Sequence, residues 1–146
     1  MTKPLARKLG VEAGMRALFV DAPAEAVEAI APPKLDAASP AGDRLEYIHL
    51  FTKSRTELEE TLPGLRDRLD ETGMLWVSWP KGRRLDTDLT LPEVIRIGYD
   101  HGLVESKCVS VDATWSALKF TFPKPGKVYR NSYGELRTPA WTDPGH

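Results

Sequence analysis

Cysteine is scarce in this sequence, since Cys108 is the only one in 146 residues. A disulfide within the chain and a cysteine-rich metal framework are therefore both excluded. Long apolar runs are also lacking, because no stretch approaches the roughly 18 residues that cross a bilayer. Lys3, Arg7 and Lys8 are not followed by the apolar segment of a signal peptide. We expect a cytoplasmic protein, because a lone thiol suits a reducing compartment.

The chain has almost no excess charge of either sign, and its formal net charge is −1. No global field draws it to nucleic acid or to an anionic membrane, so we expect neither as a partner. Its length is that of one domain, which we place at residues 1–122. Residues 123–146 combine prolines, glycines and scattered charges, which predicts an extended or disordered tail.

Three short apolar runs predict buried strands: Met15–Val20, Tyr47–Phe51 and Met74–Ser78. The third run lies between a glycine and a proline and is too short for a core helix. A strand that is apolar on both faces is typical of the middle of a mostly parallel sheet. We predict that this strand is central. The chain then leaves the sheet at its C-terminal edge, where open α/β sheets bind ligands.

Apolar spacing and stop signals predict four helices: Pro4–Leu9, Pro23–Ile30, Arg55–Leu69 and Leu91–His101. Two helix starts carry the pattern of a capping box, Ser54 with Glu57 and Thr90 with Glu93. Residues 63–64, a proline and a glycine, predict a kink or two abutting segments in the third helix. We expect a turn at residues 70–73 and a polar loop at 82–88.

The C-terminal part of the predicted domain contains two further strands, Leu103–Val111 and Ala117–Phe122. The link Asp112–Ser116 is short enough for the two strands to pair as a hairpin. Strand–helix crossovers followed by a hairpin predict a Rossmann-like three-layer α/β sandwich. Its five strands would have the order 1-2-3-5-4 in a mostly parallel sheet, with the last strand antiparallel.

In this fold the ends of the first three strands and the hairpin turn open on one rim of the sheet. Basic residues there would lie near capped helix starts, where free amides and the helix dipole attract anions. The alternative is a set of solvated loop charges, partly cancelled by Asp86 and Asp88. The candidate ligand-binding residues at this rim are Lys53, Ser54, Ser78, Trp79, Lys81, Arg83, Arg84, Asp112, Trp115 and Ser116.

Trp79 and Trp115 each lie at a strand end, whereas Trp76 lies inside the central strand and is predicted to be core. Tryptophans at a rim can stack on a flat ligand. They can equally plug the end of the core or form an oligomer contact, and we favour this structural role.

Catalytic groups are harder to assign. The acid–base candidates that could reach the rim are Asp21, Asp86, Asp88 and Asp112. Asp21 and Asp112 are equally well explained as strand-end residues that bond their own turns. Ser78, Ser116 and His49 could supply a nucleophile and a base, yet no G-x-S-x-G elbow surrounds either serine. The three histidines have no metal-ligand spacing. We expect the single cysteine to be an inert, packed thiol.

Two sets of motifs resemble known proteins. The segments 75–81, 87–89, 111–116 and 118–120 together resemble a family of small, mainly bacterial proteins, domain of unknown function 3052. The likeness covers residues 4–122 and implies no assigned activity and no catalytic residues. The element order also resembles the second half of class I methyltransferases, which bind S-adenosylmethionine (SAM) through a glycine-rich loop after the first strand. Here that place is Asp21–Glu25 and has no glycine.

We therefore expect a non-enzymatic binding or regulatory module that recognises a small anionic ligand or a protein partner at the rim. The alternative is a transferase-type enzyme, a degenerate relative of the methyltransferases, with a nucleotide-like cofactor in the same crevice. A filled pocket beside the turn at 21–25 would favour the first. A third hypothesis is homo-oligomerisation through an edge strand, Ala117–Phe122. No specific cofactor follows from the residues.

Overall fold

The computed structural model describes residues 4–37, 44–124, 128–131 and 134–137. Four α-helices and eight strands occur within these ranges. The helices are α1 (Leu5–Leu9), α2 (Ala24–Ile30), α3 (Arg55–Arg68) and α4 (Leu91–Asp100). The strands are β1 (Arg16–Val20), β2 (Asp36–Ala37), β3 (Leu45–Phe51), β4 (Leu69–Pro80), β5 (Val104–Ser110), β6 (Trp115–Thr121), β7 (Val128–Asn131) and β8 (Gly134–Arg137).

Six strands form one sheet in the order β2-β1-β3-β4-β6-β5. β1 is parallel to β2 and to β3, and β3 is parallel to β4. β6 runs antiparallel to both of its neighbours. The predicted order 1-2-3-5-4 and the antiparallel last strand are confirmed. The two-residue β2 was not predicted, because it lies in a segment without apolar periodicity.

β4 is the central strand, as predicted, with β3 on one side and β6 on the other. Leu75, Trp76 and Val77 are fully buried. The strand is longer than predicted, because it begins at Leu69 and includes the expected turn at 70–73. Its register to β3 jumps from Leu45↔Leu69 to Tyr47↔Met74, so the extra residues form a bulge inside the strand.

Side chains alternate between two apolar layers, which confirms the three-layer sandwich. On one face, Leu75 and Val77 pack with residues of α3 and α4, which we call the α3–α4 face. On the other, Tyr47 and Trp76 pack with residues of α1 and α2, which we call the α1–α2 face. The Trp76 indole also donates a hydrogen bond to the Leu9 carbonyl at 3.1 Å, so it anchors α1 to the sheet.

Two helix predictions need correction. α3 runs without a break through Pro63, so two abutting segments, one of the two outcomes predicted there, do not occur, and the kink stays a prediction. Proline removes one bond to the carbonyl four residues earlier, which here belongs to the exposed Glu59, where water can replace it. The second capping box is also wrong, because the Thr90 side chain makes no cap bond. The first start is capped as predicted, since Ser54 accepts a bond from the Glu57 amide.

The strand Ala117–Phe122 is not at the sheet's edge. Its counterpart β6 inserts between β4 and β5, so β5 is the outer strand on this side. This correction also explains Cys108, which lies on β5 and is exposed rather than packed, contrary to the prediction. An oligomer that pairs sheet edges would have to use a different strand from the one expected.

β7 and β8 form a separate antiparallel hairpin in the C-terminal segment, and β8 lies against α4. The predicted extended or disordered tail otherwise falls largely outside the described residues and stays a prediction. Within the ranges that the structure describes, no helix combines the length and the apolar character that crossing a membrane requires.

Candidate functional site

The turns that follow β4 and precede β6 meet at the C-terminal edge of the parallel strands. The Lys81 amide donates to the Thr114 carbonyl at 2.7 Å, and the Arg84 guanidinium donates to the Ala113 carbonyl. The ends of β1 and β3 reach the same edge, because Val20 pairs with Leu50 in register. Segments that are far apart in sequence therefore lie together there.

A cavity of about 220 Å³ opens at this edge, and we call it the rim cavity. Its walls come from the ends of β1 and β3, the start of α3, the loop after β4 and the start of β6. The lining residues are Asp21, Phe51, Thr52, Lys53, Glu57, Leu85 and Trp115. Of the ten predicted site residues, only Lys53 and Trp115 line it.

The three basic residues after β4 do not converge on the rim cavity. The Lys81 ammonium donates to the Ser110 hydroxyl at 2.5 Å, towards the edge strand β5. The Arg84 side chain is held by the hairpin turn, and Arg83 is exposed. These cations contribute to the surface around the edge of the sheet rather than to one binding pocket.

The start of α3 already carries an anion from the protein itself. The Asp88 carboxylate accepts the Arg55 amide at 2.8 Å, and the Ser54 hydroxyl accepts the Glu57 amide at 3.3 Å. Two of the amides that were expected to attract a ligand anion are therefore already bonded, and Asp88 places a negative charge at the positive end of the helix dipole. The second expected helix start is Thr90, which has no side-chain cap.

Asp112 is engaged in its own turn. Its carboxylate accepts the amides of Thr114 and Trp115, both at 2.8 Å. This is the turn-bonding role that the sequence left open for it. Asp21, by contrast, is exposed, lines the rim cavity and has a left-handed φ of 54°. Of Asp21 and Asp112, only Asp21 lines the rim cavity.

The two strand-end tryptophans lie on opposite faces of the sheet. Trp79 is 5% exposed and packs on the α3–α4 face, whereas Trp115 is 9% exposed and packs on the α1–α2 face. They cannot stack on one ligand together. Trp115 meets the Phe51 ring edge-to-face, with the ring centroids 5.2 Å apart, and forms part of the cavity wall. Trp79 has the structural role that we favoured.

Ser78 belongs to a buried hydrogen-bond chain beneath the rim cavity. The Tyr47 hydroxyl bonds His49 Nδ1 at 2.6 Å, and His49 Nε2 bonds the Ser78 hydroxyl at 2.7 Å. All three residues are fully buried. Burial lowers the pKa of His49 to about 3 and raises the pKa of Tyr47. The imidazole is therefore neutral, and the chain of bonds is sealed from solvent.

Phe51 separates this buried chain from the rim cavity. Its ring stacks on the His49 imidazole with the centroids 4.5 Å apart, while it also lines the cavity. Tyr47 was not among the site residues predicted from the sequence. The signal was its position two residues before His49 on the same strand, which places both side chains on one face of the sheet. Ser116, the other candidate nucleophile, is half-buried and pairs in register with Trp79 and Ser110.

The loop after β4 has an unusual backbone. Gly82, Arg83, Leu85 and Asp86 all have positive φ, between 55° and 61°. Non-glycine residues in this region cost roughly 1–3 kcal/mol each and often mark binding sites. Leu85 is 52% exposed and lies at the mouth of the rim cavity. Of the described residues, it is the only large hydrophobic one that is exposed. The sequence predicted only a polar loop here.

Metal binding finds no support at the rim. Among the residues that the structure describes, no three or more His, Cys, Asp and Glu side chains come together as metal ligands would. The lining of the rim cavity consists of three apolar, two acidic and one basic residue, together with Thr52.

The fold is similar to that of solved SAM-dependent methyltransferases. Magnesium protoporphyrin IX methyltransferase from Synechocystis PCC 6803 with bound SAM matches at 12% identity and a TM-score of 0.52, covering 81% of this chain and 74% of that one. The CcbJ methyltransferase from Streptomyces caelestis matches at 9% identity and 0.54, covering 84% and 91%. A TehB-like SAM-dependent methyltransferase from Corynebacterium glutamicum matches at 10% identity and 0.52, covering 84% and 89%.

At these identities the likeness establishes the fold alone, which is Rossmann-like and methyltransferase-like. No family model matches this chain, so the resemblance to domain of unknown function 3052 gains no support from that comparison. No curated protein matches the sequence either. The expected architectural likeness is thus confirmed, whereas the site must be interpreted from this chain's own residues.

Proposed function

We propose that this protein is a non-enzymatic binding module that holds a small ligand in the rim cavity. One observation carries the proposal, namely a cavity with apolar walls and charged side chains at the C-terminal edge of the sheet. Ligands of open α/β folds bind at this edge, and their pockets combine apolar walls with a few polar groups. The cavity is about 220 Å³, below the roughly 300–1,000 Å³ usual for drug-sized ligands, which favours a compact ligand.

Two features support binding without catalysis. The only serine–histidine pair at this end of the sheet, among the described residues, is fully buried behind Phe51. The turn after β1 contains Asp21 and Pro23 in place of glycines, so Cβ atoms occupy the space that a dinucleotide or SAM would need for close backbone approach.

The ligand class differs from the expected simple anion. Asp21 and Glu57 are two acidic residues of the lining, and Lys53 is its one basic residue. A phosphate in this cavity would lie among more negative than positive groups. A ligand that pairs with these residues must therefore carry both a positive and a negative group.

A transferase that uses a nucleotide-like cofactor is the second candidate. The fold favours it, because the three solved structures named above are all methyltransferases and one carries bound SAM. The open cavity beside Asp21 favours it as well, since a filled pocket next to the turn at 21–25 was the feature expected of a binding module. The two candidates differ in a simple assay. A transferase would bind SAM and release S-adenosylhomocysteine in the presence of a methyl acceptor, whereas the binding module would form no product.

A thermal-shift and calorimetric screen tests the proposed function. The screen includes inorganic phosphate, nucleotides, SAM, S-adenosylhomocysteine and small polar metabolites. A ligand at 100 times its dissociation constant stabilises the folded state by about 2.7 kcal/mol, which is readily measured as a rise in Tm. We expect at least one compact ligand to bind, and we expect Leu85→Asp to weaken it at least tenfold without lowering the Tm of the free protein.

The matched control is Lys34→Ala, which changes an exposed residue at the opposite end of β1. It should leave the affinity unchanged. Binding that is insensitive to Leu85→Asp would place the ligand elsewhere and contradict the proposal, as would the absence of any bound compound.

A further inference from the structure

We infer that the rim cavity selects a free amino acid with an apolar side chain. This inference rests on the proposed function and deepens it, because it names the class of ligand. The structure supplies the three kinds of contact that such a molecule needs within one small cavity: a cation for its carboxylate, carboxylates for its ammonium group, and an apolar wall for its side chain.

The charged groups of the cavity are not engaged with one another. The ion pairs of the described residues involve Arg16, Arg55 and Arg96 with glutamates outside the cavity. Lys53, Asp21 and Glu57 are exposed and take part in none of these pairs. Their side chains are therefore available to a ligand that carries both charges.

The mixture of signs excludes simpler ligands. A lone anion would meet Lys53 but also the carboxylates of Asp21 and Glu57, and a lone cation would meet the Lys53 ammonium. An uncharged apolar molecule would partly cover these three charged residues and pair with none of them. A zwitterion alone pairs both signs without adding net charge.

The apolar part of the cavity defines the rest of the ligand. The rings of Phe51 and Trp115 stand edge-to-face and form one wall, and the exposed Leu85 is the third apolar residue of the lining. Leu85 is exposed in a segment whose backbone is otherwise unfavourable, so its position is imposed by the fold. A branched or aromatic side chain of the ligand would cover it.

Hydrogen bonds fix Leu85 and Lys53 relative to each other. The Thr87 hydroxyl, two residues after Leu85, donates to the Lys53 carbonyl at 2.7 Å. Arg84, one residue before Leu85, bonds the turn that leads into Trp115. The backbone segments that carry Leu85, Lys53 and Trp115 are thus held in one geometry before a ligand arrives, which favours selective recognition.

The size of the cavity agrees with this class. At about 220 Å³ it lies below the range of roughly 300–1,000 Å³ for drug-sized ligands, and a single amino acid is correspondingly smaller than a nucleotide. A nucleotide-containing ligand would have to leave much of its surface outside.

Calorimetric titration with single amino acids and their analogues tests the inference on the full chain. We expect leucine, methionine or phenylalanine to bind. Leucinol keeps the ammonium group and lacks the carboxylate, whereas N-acetyl-leucine keeps the carboxylate and lacks the ammonium group. Each should bind at least tenfold more weakly than leucine. Lys53→Ala should weaken leucine at least tenfold without weakening leucinol, and Asp21→Asn/Glu57→Gln should weaken leucine without weakening N-acetyl-leucine.

Lys34→Ala and Glu59→Gln are the matched controls, because both residues are exposed and lie outside the cavity. They should not alter the affinity for leucine. Equal binding of leucine, leucinol and N-acetyl-leucine would overturn the inference. Binding of SAM, a nucleotide or phosphate that depends on Leu85, with no response to any amino acid, would overturn the inference and leave the proposed function standing. If no compound of any kind binds, both the inference and the proposed function are overturned.

Discussion

Acid will destabilise this protein strongly, and His49 will account for about 2–3 kcal/mol of the loss between pH 7 and pH 4.5. The imidazole is fully buried, and both of its nitrogens bond buried hydroxyls, those of Tyr47 and Ser78. Burial lowers its pKa from 6.5 to about 3. Removing a charged imidazolium from water without a carboxylate partner is the physical cause.

The sign of this pH effect on stability follows from where His49 binds a proton. Between pH 6.5 and pH 3 the unfolded chain binds a proton at His49, and the folded chain does not. The free energy of unfolding therefore falls as the pH drops through this window, by about 1.4 kcal/mol per pH unit. Above pH 6.5 the contribution of His49 to stability is complete and independent of pH.

Urea denaturation at pH 7 and pH 4.5 measures this contribution. The informative variant is Tyr47→Phe/His49→Phe/Ser78→Ala, which removes the whole chain of bonds. His49→Phe alone would leave two buried hydroxyls unpartnered at roughly 1–3 kcal/mol each. We expect the triple variant to lose about 2–3 kcal/mol less than the wild type over this pH range. His101→Asn serves as control, since it keeps His49 and should retain the full loss. An unchanged pH dependence in the triple variant would contradict the assignment.

Gly98→Ala will destabilise the protein by about 2–3 kcal/mol, although alanine is normally the better helix former by up to about 1 kcal/mol. Gly98 lies in α4 and packs directly on the Phe120 ring, which is fully buried in β6. A methyl group at this position would overlap three atoms of that ring. The close approach of α4 to the sheet therefore depends on the missing side chain.

A double-mutant cycle with Phe120→Leu isolates this contact. In the Phe120→Leu background the smaller side chain leaves room, so Gly98→Ala should cost at least 1 kcal/mol less than in the wild type. Gly64→Ala is the matched control, because Gly64 lies in α3 and an added Cβ would meet no atom within 4 Å. It should be neutral or stabilising. Equal costs of Gly98→Ala in both backgrounds would show that the packing against Phe120 is not the cause.

The strand order could be predicted from the sequence because each strand has a strong local signal. The run 74–77 is apolar on both faces, and the turn at 112–116 is too short for anything but a hairpin. Features that depend on pairing between distant segments could not be predicted. The bulge at 70–73 exists because of its register to β3, and β2 has only two paired residues. Neither leaves a periodic pattern.

The site was harder to predict because contacts between distant segments determine which residues line it. The carboxylate of Asp88 accepts the Arg55 amide at the start of a helix 33 residues earlier. It lies where the sequence predicted a ligand anion. Trp79 and Trp115 lie on opposite faces because Trp79 pairs with Ser116 and Trp115 with Pro80. The chain Tyr47–His49–Ser78 requires the parallel register of β3 and β4. Leu85 lines the cavity because the loop has left-handed backbone, and the only sign of this backbone in the sequence is Gly82.

The most direct test of the rim cavity as a ligand site is an NMR titration of the ¹⁵N-labelled protein with leucine. We expect saturable chemical-shift changes of the backbone amides of Asp21, Lys53 and Leu85. The amides around Cys108, on the outer strand β5, should keep their chemical shifts. Chemical-shift changes centred on any other surface would contradict the rim cavity as the ligand site. So would the absence of any change at millimolar leucine, if another compound binds away from these three residues.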